Sequence, residues 1–127
     1  MNKKIAFLVA LVMIFTLTSC SRQVGWVGLN YDNMIDVSYQ LFDGKKVERI
    51  QIDAGDTFTL MYDIEVDDGS LKLQLNDPDR QQVWEATFLD DTEDVLTFRA
   101  ESSGRYTLNI LGDQTKGGFE LRWESFD

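Results

Sequence analysis

Histidine is missing altogether from the 127 residues, and cysteine and proline occur once each. Without histidine the chain has no side chain that titrates near neutrality unperturbed. It has no Ser-His or Cys-His nucleophile pair and lacks the usual nitrogen ligands for zinc. A single cysteine cannot close an internal disulfide, so Cys20 needs another explanation. The longest apolar run, Ile5 to Leu17, is 13 residues, short of the roughly 20 that a membrane-spanning helix requires. No segment keeps the helical apolar spacing over two turns, which argues against an α/β fold. Low-complexity tracts and detectable sequence repeats are absent too. The chemistry left to the chain belongs to carboxylates, lysine, tyrosine and hydroxyls. That weighs against the common hydrolase types, and the expectation is a protein that is not an enzyme.

What is present begins with an address. Met1-Asn2-Lys3-Lys4 is a short positive segment, and the apolar run behind it is polar only at Thr16. Leu17-Thr18-Ser19-Cys20 closes the run, as small residues close a secretory h-region at its cleavage point. A leucine, two small residues and a cysteine resemble the lipobox of bacterial lipoproteins. The resemblance implies a signal peptide over 1–19 and cleavage before Cys20. It also implies acyl chains such as palmitate on the sulfur and on the new amino terminus. Each buried methylene contributes about 0.8 kcal/mol, so one chain holds marginally and two hold stably. The expected location is outside the cytoplasm, lipid-anchored to the cell membrane or the outer membrane.

Charge limits the partners. The whole chain carries 12 Lys and Arg against 22 Asp and Glu, a formal charge of −10. Residues 1–19 hold two lysines and no acids, so the remainder has 10 basic against 22 acidic residues, or −12. Such a balance argues against nucleic acid and against a second, electrostatic hold on anionic lipid. It suits a soluble surface, a basic partner or divalent cations.

Residues 20–34 read as an acylated terminus and tether, because Gly25, Gly28, Asn30 and Asn33 break any period. Residues 35–127 read as one β-sandwich domain, since apolar residues alternate with polar ones almost throughout. Phe58, Leu60, Tyr62, Ile64 and Val66 form the longest stripe, and Leu71, Leu73 and Leu75 form the next. Turns are expected at Asp43-Gly44, Ala54-Gly55-Asp56, Asp67-Asp68-Gly69 and Asn76 to Asp79, where Pro78 fixes φ. A loop is expected over Gly112 to Gly118. About eight short strands with turns between them predict an all-β, antiparallel sandwich of jelly-roll type. Trp84, Tyr106 and Trp123 fall on its core stripes.

From Val47 to Glu124 the order of features resembles two related β-sandwich families, the Golgi-dynamics (GOLD) domain and the bacterial pre-peptidase C-terminal domain. The resemblance rests on an Ala54-Gly55-Asp56 turn before a long apolar strand. It rests also on Leu71-Lys72-Leu73-Gln74-Leu75 running into Asp77-Pro78, on Phe98-Arg99-Ala100, and on Gly104-Arg105-Tyr106-Thr107-Leu108. The paired cysteines of some such domains are lacking here. The resemblance implies a binding or accessory module.

Candidate sites follow from residue type. Trp26, Tyr31 and Phe42 are aromatics that the alternation leaves unburied, and exposed aromatics on a sandwich suit protein or glycan ligands. Asp67 with Asp68, and Asp77 with Asp79, are weak candidates for calcium, which takes six to eight oxygens. Asp and Asn favour turns in any case, so no cofactor is expected. Glu85, Glu120 and Glu124 on water-facing positions are the material for a carboxylate pair. The expected function is a membrane-anchored module for a protein or glycan partner of the envelope. The alternatives are a small carboxylate-dependent glycan hydrolase and a structural envelope lipoprotein.

Overall fold

The computed structural model describes residues 22–127. The expected signal peptide and Cys20 lie outside them. Seven strands follow one another: β1 (Arg22–Val24), β2 (Val27–Tyr31), β3 (Met34–Ile52), β4 (Thr57–Asn76), β5 (Gln82–Phe88), β6 (Thr92–Arg99) and β7 (Gly104–Phe126). There is no helix among the described residues, and every strand pairing is antiparallel.

Three of these strands explain the architecture. β3, β4 and β7 run for 19, 20 and 23 residues. A straight strand of that length would reach roughly 65 Å, far beyond the ~13 Å radius of gyration of a 100-residue domain. They therefore bend. Register shifts interrupt β3 between Tyr39 and Gly44 and β4 between Val66 and Ser70. A bulge adds a residue to one strand and reverses which parity points inward. The burial pattern follows that reversal. Phe58 to Val66 are buried at even positions and Leu71 to Leu75 at odd ones, while β7 changes from Tyr106, Leu108 and Ile110 to Phe119, Leu121 and Trp123.

Each long strand thus serves two layers. The front layer runs β2, first half of β3, second half of β7, first half of β4, β6. The back layer runs β1, second half of β3, first half of β7, second half of β4, β5. Their apolar faces meet in a single core. Tyr62 of the front layer lies 5.6 Å from Trp84 and 5.4 Å from Phe88 of the back layer, ring centre to ring centre. Gly117 permits the sharpest corner: its φ is +141°, and an added Cβ would run into the Glu65 carbonyl.

The expected all-β antiparallel sandwich is what forms, with its strands divided differently. Asp43-Gly44, Asp67-Asp68-Gly69 and Gly112–Gly118 are corners inside continuous strands, not turns between separate ones. Six expected strands therefore join into three. The expected tether also needs correction. Residues 22–24 and 27–31 pair with β3 and belong to the sheet. Leu29 and Tyr31 sit opposite Asp36 and Met34, so backbone pairing satisfies a segment whose side-chain pattern is weak. β1 covers β3 only over Leu41–Asp43, and on the uncovered edge beyond it Lys46 and Glu48 occupy inward parity and pair at 3.6 Å. Inward charges on an edge discourage strand addition there.

Candidate functional site

β5 and β6 both pair with β4 alone, β5 in the back layer and β6 in the front. Among the described residues nothing pairs with their outer edges, so a seam opens between the layers on that side. Trp84 reaches it from β5 opposite Leu75, and Leu96 and Phe98 reach it from β6 opposite Leu60 and Phe58. All three are half-buried. The groove measures about 530 Å³. Its floor is aromatic: Phe98 lies 5.5 Å from Phe58 and 6.1 Å from Tyr106, ring centre to ring centre. Asp77, Gln81, Arg99 and Glu101 stand on its rim.

The rim is held by local hydrogen bonds. The Asp77 carboxylate accepts from the backbone N–H of Asp79 at 2.9 Å and of Gln81 at 2.8 Å, which closes the turn containing Pro78. The Tyr106 hydroxyl donates to the Ser102 carbonyl at 2.9 Å, tying the entry of β7 to the core. A half-buried indole and phenyl framed by carboxylates, an amide and a guanidinium suit a ligand with an apolar face and hydrogen-bonding edges.

The two outer faces of the sandwich carry charge of opposite sign. On the front face, Asp36, Glu120, Asp63 and Glu93 stand directly opposite one another across four strands. In the next row Tyr31, Met34, Arg122, Met61 and Val95 cross all five. Arg122 lies 3.5 Å from Glu120. A shallow depression of about 480 Å³ sits between these rows. On the back face the registers bring Lys45, Arg49, Lys72 and Arg105 together with Asn109, Gln74 and Asn76. Glu85 is the one carboxylate in those rows; Lys72 meets it at 2.9 Å and holds its carboxyl below the usual range. Asn109 is 6% exposed, and its carboxamide oxygen has no hydrogen-bond partner among the described residues.

The aromatics expected to be free separate into two kinds. Tyr31 is 60% exposed on β2. Phe42 is fully buried, and Trp26 packs over it at 5.3 Å and over Tyr39 at 5.6 Å. That corrects the expected exposure. The bulge at Phe42 turns it inward, and the sheet-bound segment 22–31 lays the indole on the core. Asp67 and Asp68 lie at the β4 corner, where Asp68 accepts from the Gly69 N–H at 2.9 Å. Asp77 and Asp79 lie beyond the end of β4, some nine residues of extended strand away. Among the described residues, no three Asp, Glu, His or Cys side chains converge as a metal site. Glu85 and Glu120 point from opposite faces, so those acids do not meet; Glu120 instead faces Asp36 and Asp63. Tyr106 and Trp123 are core residues as expected. Trp84 and Phe98 were hidden by their alternation, which marks an inward face but not an edge strand.

No protein-family model matches the chain, and no characterised protein matches it by sequence. Its fold is similar to solved structures. A family 4 carbohydrate-binding module shares 12% identity at a TM-score of 0.50, over 83% of this chain and 76% of that one. A family 61 carbohydrate-binding module in complex with β-1,4-galactotriose shares 12% at 0.49, over 85% and 88%. A glycosylation-associated protein complex from Streptococcus agalactiae shares 13% at 0.41, over 84% of this chain and 42% of that one. At these identities the likeness is one of fold.

Proposed function

We propose that the protein is an extracytoplasmic lipoprotein, moored through Cys20, whose sandwich is a non-catalytic module that binds a glycan in the seam between β5 and β6. The observation that carries this is the Trp84–Phe98 floor with carboxylate, amide and guanidinium groups around it. Sugar rings present C–H faces that lie on aromatic rings and hydroxyls that both donate and accept. The seam offers a partner to each. The ligand class of the similar family 4 carbohydrate-binding module agrees with this reading. The anchor rests on the Leu17-Thr18-Ser19-Cys20 motif.

Retention of the full-length protein, in detergent micelles, on gels containing neutral β-linked polysaccharides tests the seam. The wild type should be retarded by at least one polymer. Trp84→Ala should weaken that affinity about tenfold, equivalent to about 1.4 kcal/mol. Absence of retardation across the panel, or a Trp84→Ala variant that binds undiminished, sinks the reading. The anchor is tested separately: Cys20→Ala should leave folding intact and move the protein out of the membrane fraction.

A further inference from the structure

The back face shares no side chain with the seam's aromatic floor or with the core. Its middle row, from β3 to β5, is Val47, Asn109, Gln74 and Glu85. Lys45 and Arg49 stand on either side of Val47 along β3, and Arg105 stands two residues before Thr107 on β7. We infer that this face binds an anionic polysaccharide, with the Lys45, Arg49 and Arg105 charges meeting its acidic groups and the Asn109 and Gln74 amides meeting its hydroxyls.

Charge complementarity is the first argument. The chain as a whole is at −10, yet in the rows from Lys45 to Arg105 this face sets four cations against Glu85 alone, the carboxylates of Asp43 and Asp113 coming two residues further toward the corner on β3 and β7. Lys45, Arg49 and Arg105 make no ion pair among the described residues. Acidic proteins that need only solubility have no reason to gather their cations on one side. Lys45 and Arg49 stand four residues apart on one strand, roughly 13 Å, a spacing that can meet successive charges on an extended polymer.

Asn109 is the second argument, independent of charge. A strand position flanked by Val47 and Gln74 favours a β-branched residue, and an amide oxygen left unpartnered at 6% exposure costs stability. The oxygen is covered in the free protein, so a hydroxyl-rich ligand lying across the row supplies its missing donor only as the flanking side chains part. Nucleic acid fits less well. The overall negative charge repels a dense polyphosphate, and this face presents no aromatic ring on which bases could stack.

The inference concerns different residues from the seam and stands or falls apart from it. The probes are two acidic polysaccharides, polygalacturonate, which carries carboxylates, and a phosphomannan, which carries phosphates; duplex DNA and a neutral galactan run beside them. Full-length protein in micelles should bind at least one acidic polymer at about 50 mM salt and lose about tenfold or more in affinity when salt is raised about tenfold. The polymer retained identifies the acidic group. Arg49→Gln with Arg105→Gln, both at exposed positions, should weaken that binding about tenfold. Neutral-galactan binding should be unchanged, and Trp84→Ala should leave acidic-polymer binding intact. Lys45→Gln gives a second, independent loss. The proposal is overturned if neither acidic polymer binds, if the double variant binds like wild type, or if duplex DNA binds as tightly as the polysaccharides. An equal loss from Arg122→Gln on the front face would overturn it too, by showing a response to net charge alone.

Discussion

The front and back faces of the sandwich are built from the same three strands and meet the same solvent, but they differ in sign. β7 alone gives Glu120 and Arg122 to the front and Asn109 and Arg105 to the back. The front aligns Asp36, Glu120, Asp63 and Glu93, although like charges directly opposite on a sheet are destabilising. The back gathers cations and buries an unpartnered amide. Each face breaks a local rule, and each breaks a different one. Fold stability does not ask for either arrangement. Departures of this kind are where function is expected to sit. Because a long strand turns a corner, one stretch of chain can meet two unrelated surface requirements without sharing a residue between them.

The largest expected effect comes from breaking the corner that separates the faces. At Gly117 an alanine would have to adopt a left-handed backbone and place its Cβ against the Glu65 carbonyl. Backbone strain of about 1–3 kcal/mol and a clash of similar size add up to about 3 kcal/mol or more. Urea unfolding of Gly117→Ala measures this. A variant within about 1 kcal/mol of wild type would show that the corner tolerates a side chain and that the two faces are not set by it.

Much of this layout is legible in the sequence, and the illegible part has a common cause. Alternation identified the buried stripes of β4 and the core positions of Tyr106 and Trp123, because burial on one face imposes a period of two. It could not show that Val66 and Leu71 lie on one strand. A bulge with an Asp-Asp-Gly corner has the same local composition as a hairpin turn. It could not place Phe42 either, since the bulge at that residue reverses the period. Residues 22–31 looked like tether because their stability comes from backbone pairing to β3, which leaves no mark on side-chain pattern. The seam at Trp84 and Phe98 and the charge separation between faces depend on which strands are neighbours. That is a property of long-range pairing, beyond the reach of local pattern.

A smaller effect tests whether the difference between faces is confined to the surface. Tyr39 lies in the interior between the layers, and burial is the main cause that pushes its phenol up to about 12 from 10. The Thr115 hydroxyl opposes that shift and the Glu65 carboxylate adds to it. Among the described residues neither hydroxyl has a partner at full hydrogen-bond geometry. The unfolded chain releases this proton near pH 10, whereas the folded chain keeps it to about 12. Its contribution is therefore complete below pH 10 and is lost between pH 10 and 12, to the extent of about 2–3 kcal/mol. Tyr39→Phe has no such proton to lose. Thermal unfolding across that range should show a shallower alkaline decline for the variant and near-equal stability at pH 7. Parallel declines would place the alkaline sensitivity elsewhere.

The smallest effect bears most directly on the contrast between faces. Asp63 stands between Glu120 and Glu93, so Asp63→Asn removes two like-charge contacts without changing shape. It should stabilise the fold by about 0.5 kcal/mol at low salt, a rise of about 2–4 °C in Tm for a domain this size. At about 1 M salt the screening length falls to about 3 Å, and the gain should vanish. Arg49→Gln on the back face relieves no comparable row and should bring no such gain at either salt concentration. If both substitutions stabilise equally, the signs of the two faces have no energetic meaning and their separation is incidental. If Asp63→Asn destabilises instead, the carboxylate row is held by something favourable, and the front face rather than the back becomes the place to look for a charged ligand.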